Sequence, residues 1–350
     1  LLNPHLTGGP QSGECHEKDI TMPAIVAMHE KALEHIAPQL DLLDLDIELI
    51  TFDGSGKFTV DGQSVAPEKV TVDYFWLSRH INSDGDQASA FKLLRSCKKV
   101  GVLQTFNAGL DDPFYAELSA RGTRICNSSA QAVAISEYVF GHVMNIFQPL
   151  AERRRLQADH QWKMTRFREI WQTNWLIIGF GPIGIALNQR LKAFEANTAV
   201  IRRSPKADPA VDRLGTLAEL KSFLPTADVV VLACALNDET RGLADQDFFD
   251  SMKAGSILVN IARGGLVDDA ALIKALDSDH LQAAVLDVFH QEPLDPAHGF
   301  WDHPKIDMTA HTSFAGSGGP QRWDQLFLEN IKRFALGAPL AFEVPPENLT

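Results

Sequence analysis

The sequence predicts an α/β protein built from two doubly wound parallel-sheet domains, and three observations carry that prediction. Short apolar runs alternate with stretches of helical spacing along nearly the whole chain. At 350 residues the chain exceeds what one hydrophobic core comfortably serves. The third observation is a single stretch, Asn174 to Gly184. Its residues 175–178 are an unbroken apolar run, as expected of a strand buried on both faces of a parallel sheet. Gly179, Gly181 and Gly184 then spell G-x-G-x-x-G around Pro182 and Ile183, and residues 185–196 continue at helical spacing. A strand, a glycine turn and a helix give this motif its meaning. Gly179 permits the tight turn, Gly181 lets backbone approach a pyrophosphate, and Gly184 lets helix pack on strand. The helix N-terminus offers its free N–H groups to the anion. The plainer alternative is an ordinary glycine-rich turn between a strand and a helix; the flanking pattern favours dinucleotide binding.

Taken in order, residues 1–20 contain Pro4, Gly8, Gly9, Pro10 and Gly13, with neither a basic start nor an apolar core. They read as a loose extension and not as a signal peptide. Ala24 to Ala27 is a strand candidate, followed by a helical stretch from about His29 to Leu40. Ile47 to Phe52 and Val70 to Leu77 read as strands. A helix over Ser83 to Ser96 opens with acidic residues and closes with Lys92 and Arg95, as the helix dipole favours. Val100 to Phe106 is strand, Pro113 to Ala120 helix, and Thr123 to Cys126 a short strand. A long helix from about Ala130 to Arg155 crosses to the second unit, its Glu152-Arg153-Arg154-Arg155 tail a solvated end. Residues 156–173 are polar and irregular, with Trp162 and Trp171 expected to pack. Beyond the glycine strand, further strands are expected at Thr198 to Ile201, Val229 to Cys234, Ser256 to Ile261, Ala283 to Asp287 and Ile306 to Ala310. A helix from about Gln321 to Leu336 closes the pattern.

Composition excludes several function classes. A net charge of −13 argues against nucleic acid, whose phosphates need a basic surface. No apolar run approaches the ~20 residues that span a bilayer, so no membrane partner is expected. Cys15, Cys97, Cys126 and Cys234 lie far apart without a C-x-x-C, which suggests neither a metal site nor a disulfide framework. A reducing, cytoplasmic setting fits.

Ligands of an open parallel sheet bind beyond the C-terminal ends of its strands. Three such ends here carry chemistry. Asn260-Ile261-Ala262-Arg263-Gly264-Gly265 puts an arginine past one strand; Asp287 ends the next, with Glu292-Pro293 shortly after; and Thr309-Ala310-His311-Thr312 puts a histidine at the last. Arginine holds a carboxylate bidentately, histidine exchanges a proton near neutral pH, and a carboxylate orients that histidine. Each has a plainer reading, as surface arginine, loop carboxylate or structural histidine. Their convergence on the rim of the glycine loop favours the chemical one.

These four segments, matched in order, make the chain resemble the D-isomer-specific 2-hydroxyacid dehydrogenase family from about Gln104 to Pro345. The resemblance implies a Rossmann cofactor domain, residues 129–315, inserted into a flavodoxin-like substrate domain of residues 1–128 and 316–350. It implies a homodimer with residues 130–155 at the interface. It implies a catalytic set of Arg263, Glu292 and His311. Cofactor contacts are implied for Gly179, Gly181, Pro182, Ile183, Gly184, Cys234, Ile261 and Arg263, with Asp287 on the nicotinamide carboxamide. The substrate carboxylate is expected on Arg263 and on the backbone of Asn107, Ala108 and Gly109, although Asn107 stands where glycine is common. Glu292, where formate-oxidising relatives carry glutamine, points away from that branch. The implied reaction reduces a small 2-oxo acid, of glyoxylate or hydroxypyruvate type, to the D-2-hydroxy acid with NAD(P)H. Trp76, Arg79, His80 and Trp162 are candidates for the pocket, with core packing the favoured role for either tryptophan. A second function class is a dinucleotide-sensing corepressor without turnover, since fold alone does not settle function.

The nicotinamide cofactor is read at one strand end. NAD-selective domains place a carboxylate there to accept from the ribose hydroxyls. This chain has Arg202-Arg203-Ser204, with Lys206 close by. Two guanidinium groups and a hydroxyl suit a 2′-phosphate, so NADP is expected over NAD. The alternative is a solvated basic turn.

Overall fold

A computed structural model of the chain describes residues 23–60, 62–203 and 208–349. The extension at residues 1–20, Cys15, Ser204 and Lys206 lie outside the described residues.

The first half builds a sheet around β1 (Ala24–His29), which pairs in parallel with β2 (Ile47–Phe52) and β5 (Thr71–Leu77). From β5 the parallel order continues through β6 (Lys99–Thr105) to β7 (Arg124–Cys126). On the other side, β3 (Phe58–Val60) and β4 (Gln63–Val65) add an antiparallel hairpin that the apolar pattern did not reveal. It escaped notice because its strands are three residues long, too short to show period-two alternation. Helices α1 (Glu30–Asp41), α2 (Gln87–Ser96) and α3 (Pro113–Ala120) connect the strands. The helix expected from Ser83 begins four residues later. Residues Arg79–Ser83 form a 3-10 turn, and Asp86 caps α2 by accepting from the Ser89 N–H at 2.7 Å.

The long helix expected over residues 130–155 is two helices, α4 (Ala132–Phe147) and α5 (Leu150–Ala158), broken at Gln148-Pro149. Proline lacks the N–H that would continue the ladder. The arginine tail is more than a solvated end: Arg153 donates to Gln148 Oε1 and Thr165 Oγ1 and lies over the Phe167 ring. Trp162 and Trp171 do not pack as expected. Trp162 is fully exposed and Trp171 is exposed.

The second sheet is parallel throughout. The glycine strand β8 (Asn174–Ile178) lies between β9 (Asn197–Ile201), which carries the short edge strand β10 (Arg213–Gly215), and β11 (Val229–Leu232). Then follow β12 (Ser256–Asn260), β13 (Leu281–Leu286) and β14 (Ile306–Met308). Helix α6 (Pro182–Ala193) packs with α4 on one face, where Val139, Val143, Leu187 and Leu191 meet Ile177, Val231 and Val259. Helices α7 (Gln246–Ser251) and α8 (Asp269–Asp277) cover the other face through Phe249, Leu272 and Leu276. Each such side chain contributes about 1.5–3 kcal/mol through burial.

The chain then returns. Helix α9 (Gly319–Ala335) buries Phe327 and Ile331 against the first sheet, the Phe327 ring stacking on Trp76 at 4.1 Å. Strand β15 (Glu343–Val344) pairs antiparallel with β7. Residues after 316 thus join the sheet that residues 24–126 begin.

Candidate active site

A cleft of about 730 Å³ opens where the C-terminal ends of the two sets of parallel strands face each other. One wall is the glycine turn. Gly179 has φ +102°, and a Cβ there would stand 2.5 Å from the Ala233 carbonyl, so only glycine allows the turn to pass β11. Helix α6 starts at Pro182, with Gly181 as its N-cap and no side chain capping its end. Its first N–H groups therefore face the cleft, as a pyrophosphate requires. Gly181, Pro182, Ile183, Cys234 and Ile261 all line the cleft, while Gly184 packs behind the turn against Gly179. These residues fit a dinucleotide. Burial pushes the Cys234 thiol up to about 11, so it lies there as a neutral apolar group.

The strand-end residues converge. His311 lines the cleft, and its Nδ1 donates to Glu292 Oε2 at 2.7 Å, leaving Nε2 as the ring nitrogen available to a ligand. Glu292 Oε1 accepts from the Phe289 N–H at 2.9 Å, which fixes the carboxylate. His311 adopts φ +51°, a left-handed conformation unusual for a non-glycine residue and held by its surroundings. Asp287 supplies that hold. It is fully buried, with Oδ1 accepting from Thr309 Oγ1 (2.6 Å) and the Thr312 N–H (2.7 Å), and Oδ2 from the Ser313 N–H (3.0 Å). Tyr138 on α4 extends the network to Thr309 at 2.8 Å. The sequence placed Asp287 on the nicotinamide carboxamide. The structure puts it behind the histidine loop and outside the cleft lining, because three donors draw its carboxylate inward.

Arg263 reaches across the cleft. Its Nη1 donates to the Ala262 carbonyl at 2.7 Å, and its Nε donates to Asp111 of the first sheet's 107–111 loop. A side chain at Gly109 would overlap the guanidinium as it lies here, so Arg263 would have to shift to admit one. Asn107 turns its amide to Tyr115 Oη (2.7 Å) and Gln87 Oε1 (3.2 Å), bracing the loop from behind. Burial raises the Tyr115 phenol above its ordinary range and keeps it protonated. Asn127 Nδ2 holds the Ala108 carbonyl at 2.8 Å. Among the described residues the Ala108 and Gly109 N–H groups have no hydrogen-bond acceptor, which leaves both for an anion.

Of the four pocket candidates, only Arg79 lines the cleft, its guanidinium over Trp323 (4.8 Å) and Phe314 (5.5 Å). Trp76 is core, Trp162 points to solvent, and His80 lies beside His35 outside the lining. At the end of β9, Arg203 lines the cleft and Arg202 does not. Sequence reading assigned no role to Asp111, Tyr115, Trp323, Val344 or Asn348. Asp111 had a signal, being acidic beside the loop expected to hold an anion. Tyr115 follows that loop closely but with no pattern to mark it, and Trp323, Val344 and Asn348 lie outside every motif.

Residues 140–313 match the family model for the D-isomer specific 2-hydroxyacid dehydrogenase, NAD binding domain. A glyoxylate/hydroxypyruvate reductase A of Arabidopsis thaliana is 30% identical over 241 residues, covering 66% of this chain and 75% of that protein. A second protein of that description, from Serratia proteamaculans, is 32% identical over 185 residues, 52% of this chain and 58% of its own length. Among solved structures, an NADPH-dependent glyoxylate/hydroxypyruvate reductase from Sinorhizobium meliloti, in complex with NADP and sulfate, superimposes with a TM-score of 0.72. At 22% identity it covers 93% of this chain and all of its own.

Proposed function

The chain belongs to the D-isomer specific 2-hydroxyacid dehydrogenase family, and on that premise we propose that it reduces a small 2-oxo acid, of glyoxylate or hydroxypyruvate type, to the D-2-hydroxy acid with NADPH. The observation that carries this reading is the His311–Glu292 pair at 2.7 Å, held on the same cleft as Arg263 and the glycine turn.

When bound, the reduced cofactor supplies hydride to the 2-oxo carbon. Arg263 and the Ala108 and Gly109 N–H groups hold the substrate carboxylate, each charge-assisted bond contributing roughly 1.5–3 kcal/mol. His311 Nε2 gives its proton to the carbonyl oxygen as negative charge develops there. Glu292 stabilises the imidazolium before that transfer and fixes the ring's direction. Asp287 positions His311 through the 312–313 backbone. Arg203, with Arg202 beside it, supplies positive charge at the adenosine end, which favours the 2′-phosphate of NADP; NAD remains the weaker alternative.

The division into residues 1–128 with 316–350 and residues 129–315 accompanies this reading. It is supported by β15 and α9 joining the first sheet. A homodimer is proposed as well. Leu150, Trp162, Met164 and Phe167 leave an exposed apolar strip on and after α5 that a second copy would cover. No helix among the described residues is long and apolar enough to cross a membrane. We place the enzyme in the cytoplasm, where Cys97, Cys126 and Cys234 would stay free thiols.

The test is a panel of 2-oxo acids with NADPH and with NADH, followed by nicotinamide absorbance. Turnover of glyoxylate or hydroxypyruvate, with NADPH preferred, is expected. Tight dinucleotide binding without turnover of any 2-oxo acid would instead make the protein a nucleotide-sensing binding module.

A further inference from the structure

The geometry points to the C-terminal segment, residues 343–349, as the outer wall of the cofactor's adenosine-ribose subsite, with Asn348 as a specificity-determining residue for the 2′-phosphate. This inference rests on the NADPH reading above and adds a residue that no motif of the dinucleotide-binding unit contains.

Arg203 Nη1 donates to Asn348 Oδ1 at 2.6 Å, across 145 positions of sequence. Val344, Glu347 and Asn348 line the same cleft as Arg203, Gly181 and Pro182. The segment is well anchored. Strand β15 pairs with β7, and Glu343 takes two bonds of 2.7 Å from Arg124. Leu349 is buried in the first sheet's core, and the Asn348 N–H donates to the Pro345 carbonyl at 2.9 Å.

Arg203 is exposed on a loop leaving β9, where its long side chain would otherwise sample several rotamers. Asn348 selects the one that points into the cleft. The amide oxygen is taken by the guanidinium, so what Asn348 has left to offer a ligand in the cleft it lines is its Nδ2 donor. A phosphate seated beside this contact would meet nitrogen donors from both sheets. A 2′-hydroxyl carries no charge to draw them, so NAD gains much less from the pair.

Isothermal titration of NADP+ and NAD+ into the full chain tests this in Arg203→Ala, Asn348→Ala and Asn348→Asp variants. Asn348 is exposed, so these substitutions leave the fold intact. Asn348→Ala is expected to weaken NADP+ binding about three- to tenfold, the scale of one hydrogen bond, and NAD+ by less than about twofold. Asn348→Asp keeps an acceptor for Arg203 but replaces the donor with a charge that repels phosphate, and should weaken NADP+ at least as much. Unchanged NADP+ affinity in both Asn348 variants, or an equal loss of both nucleotides, overturns the inference. Loss of NADP+ selectivity in Arg203→Ala alone leaves the cofactor reading standing without the wall. If Arg203→Ala also leaves the NADP+ to NAD+ ratio unchanged, the cofactor reading beneath it falls too.

Discussion

The two walls of the cleft divide the work. The second-sheet wall carries His311, Glu292 and Arg263, each within a few residues of a strand end, the groups to which the proposed reading gives proton transfer and charge. The first-sheet wall carries backbone N–H groups at Ala108 and Gly109, together with Asp111, which fixes the Arg263 guanidinium from the far side. On the proposed reading, one wall reacts and the other aims. The difference teaches that a shared site is not shared equally. A substitution at His311 or Glu292 should act on kcat, and one on the first-sheet wall on KM.

The strongest way to break that comparison is His311→Ala. The proposed reading expects kcat to fall about 10²–10⁴-fold, the usual worth of a general acid, with NADP+ affinity unchanged by titration. Near-normal kcat in a folded variant would remove the reacting wall. Glu292→Gln keeps the shape of the partner and discards its charge. A charge-assisted bond of roughly 1.5–3 kcal/mol corresponds to a kcat loss of about 10- to 100-fold. A change confined to KM would assign Glu292 to substrate binding.

Asp111→Asn probes the aiming wall. Arg263 and Asp111 are both partly exposed, so solvent screens the pair and the loss is modest. Steady-state kinetics should show KM for the 2-oxo acid rising about two- to fivefold with kcat nearly constant. A fall in kcat as large as that of Glu292→Gln would erase the distinction between the walls.

A carboxylate at the opposite end of the second sheet sharpens the contrast. Burial works against the charge of Asp228, but the Asn174 N–H at 2.8 Å, Lys253 and Arg168 outweigh it and hold its carboxyl below the ordinary range. Asp228→Asn should therefore lower stability by about 1–3 kcal/mol without altering kcat or KM. With a folded pKa depressed below the unfolded one, that contribution is present above about pH 4 and fades as pH falls through the folded value. Denaturant titrations of both proteins at neutral and acid pH would check it, with the gap expected to shrink in acid. The smallest effect is at Cys234. With its thiol pushed up to about 11, alkylation by iodoacetamide at neutral pH should be slow and accelerate with rising pH, read by mass spectrometry.

Parts of the second-sheet wall could be read from the sequence because its chemistry is local. Gly179 through Gly184, Asn260 through Gly265 and Thr309 through Thr312 each follow an apolar strand by a residue or two. The rule that parallel sheets bind ligands at their C-terminal edge then gathers them. The orientation of Asp287 was not legible, because a carboxylate at a strand end can face the cleft or the next loop. Only the positions of the Thr312 and Ser313 N–H groups decide between the two. The hairpin of β3 and β4, the break at Pro149 and the exposure of Trp162 were missed for related reasons. Two strands of three residues leave no period, and an apolar residue in an irregular segment does not reveal what covers it.

What the sequence by itself determined was the alternation that builds two parallel sheets, the glycine turn of the second, and the identities of Arg263, Glu292 and His311. All of these follow from short-range periodicity and from residues a few positions apart. Tertiary structure alone decided that Asp111 grips Arg263 across 152 positions, that β15 pairs with β7, and that Asn348 meets Arg203; the return of residues 316–350 to the first unit was expected only through the family resemblance. Such contacts depend on how two sheets face each other, and that is set by the packing of whole hydrophobic faces and not by any local pattern. The residue types at the strand ends were written in the chain; the distances between them were settled by the fold.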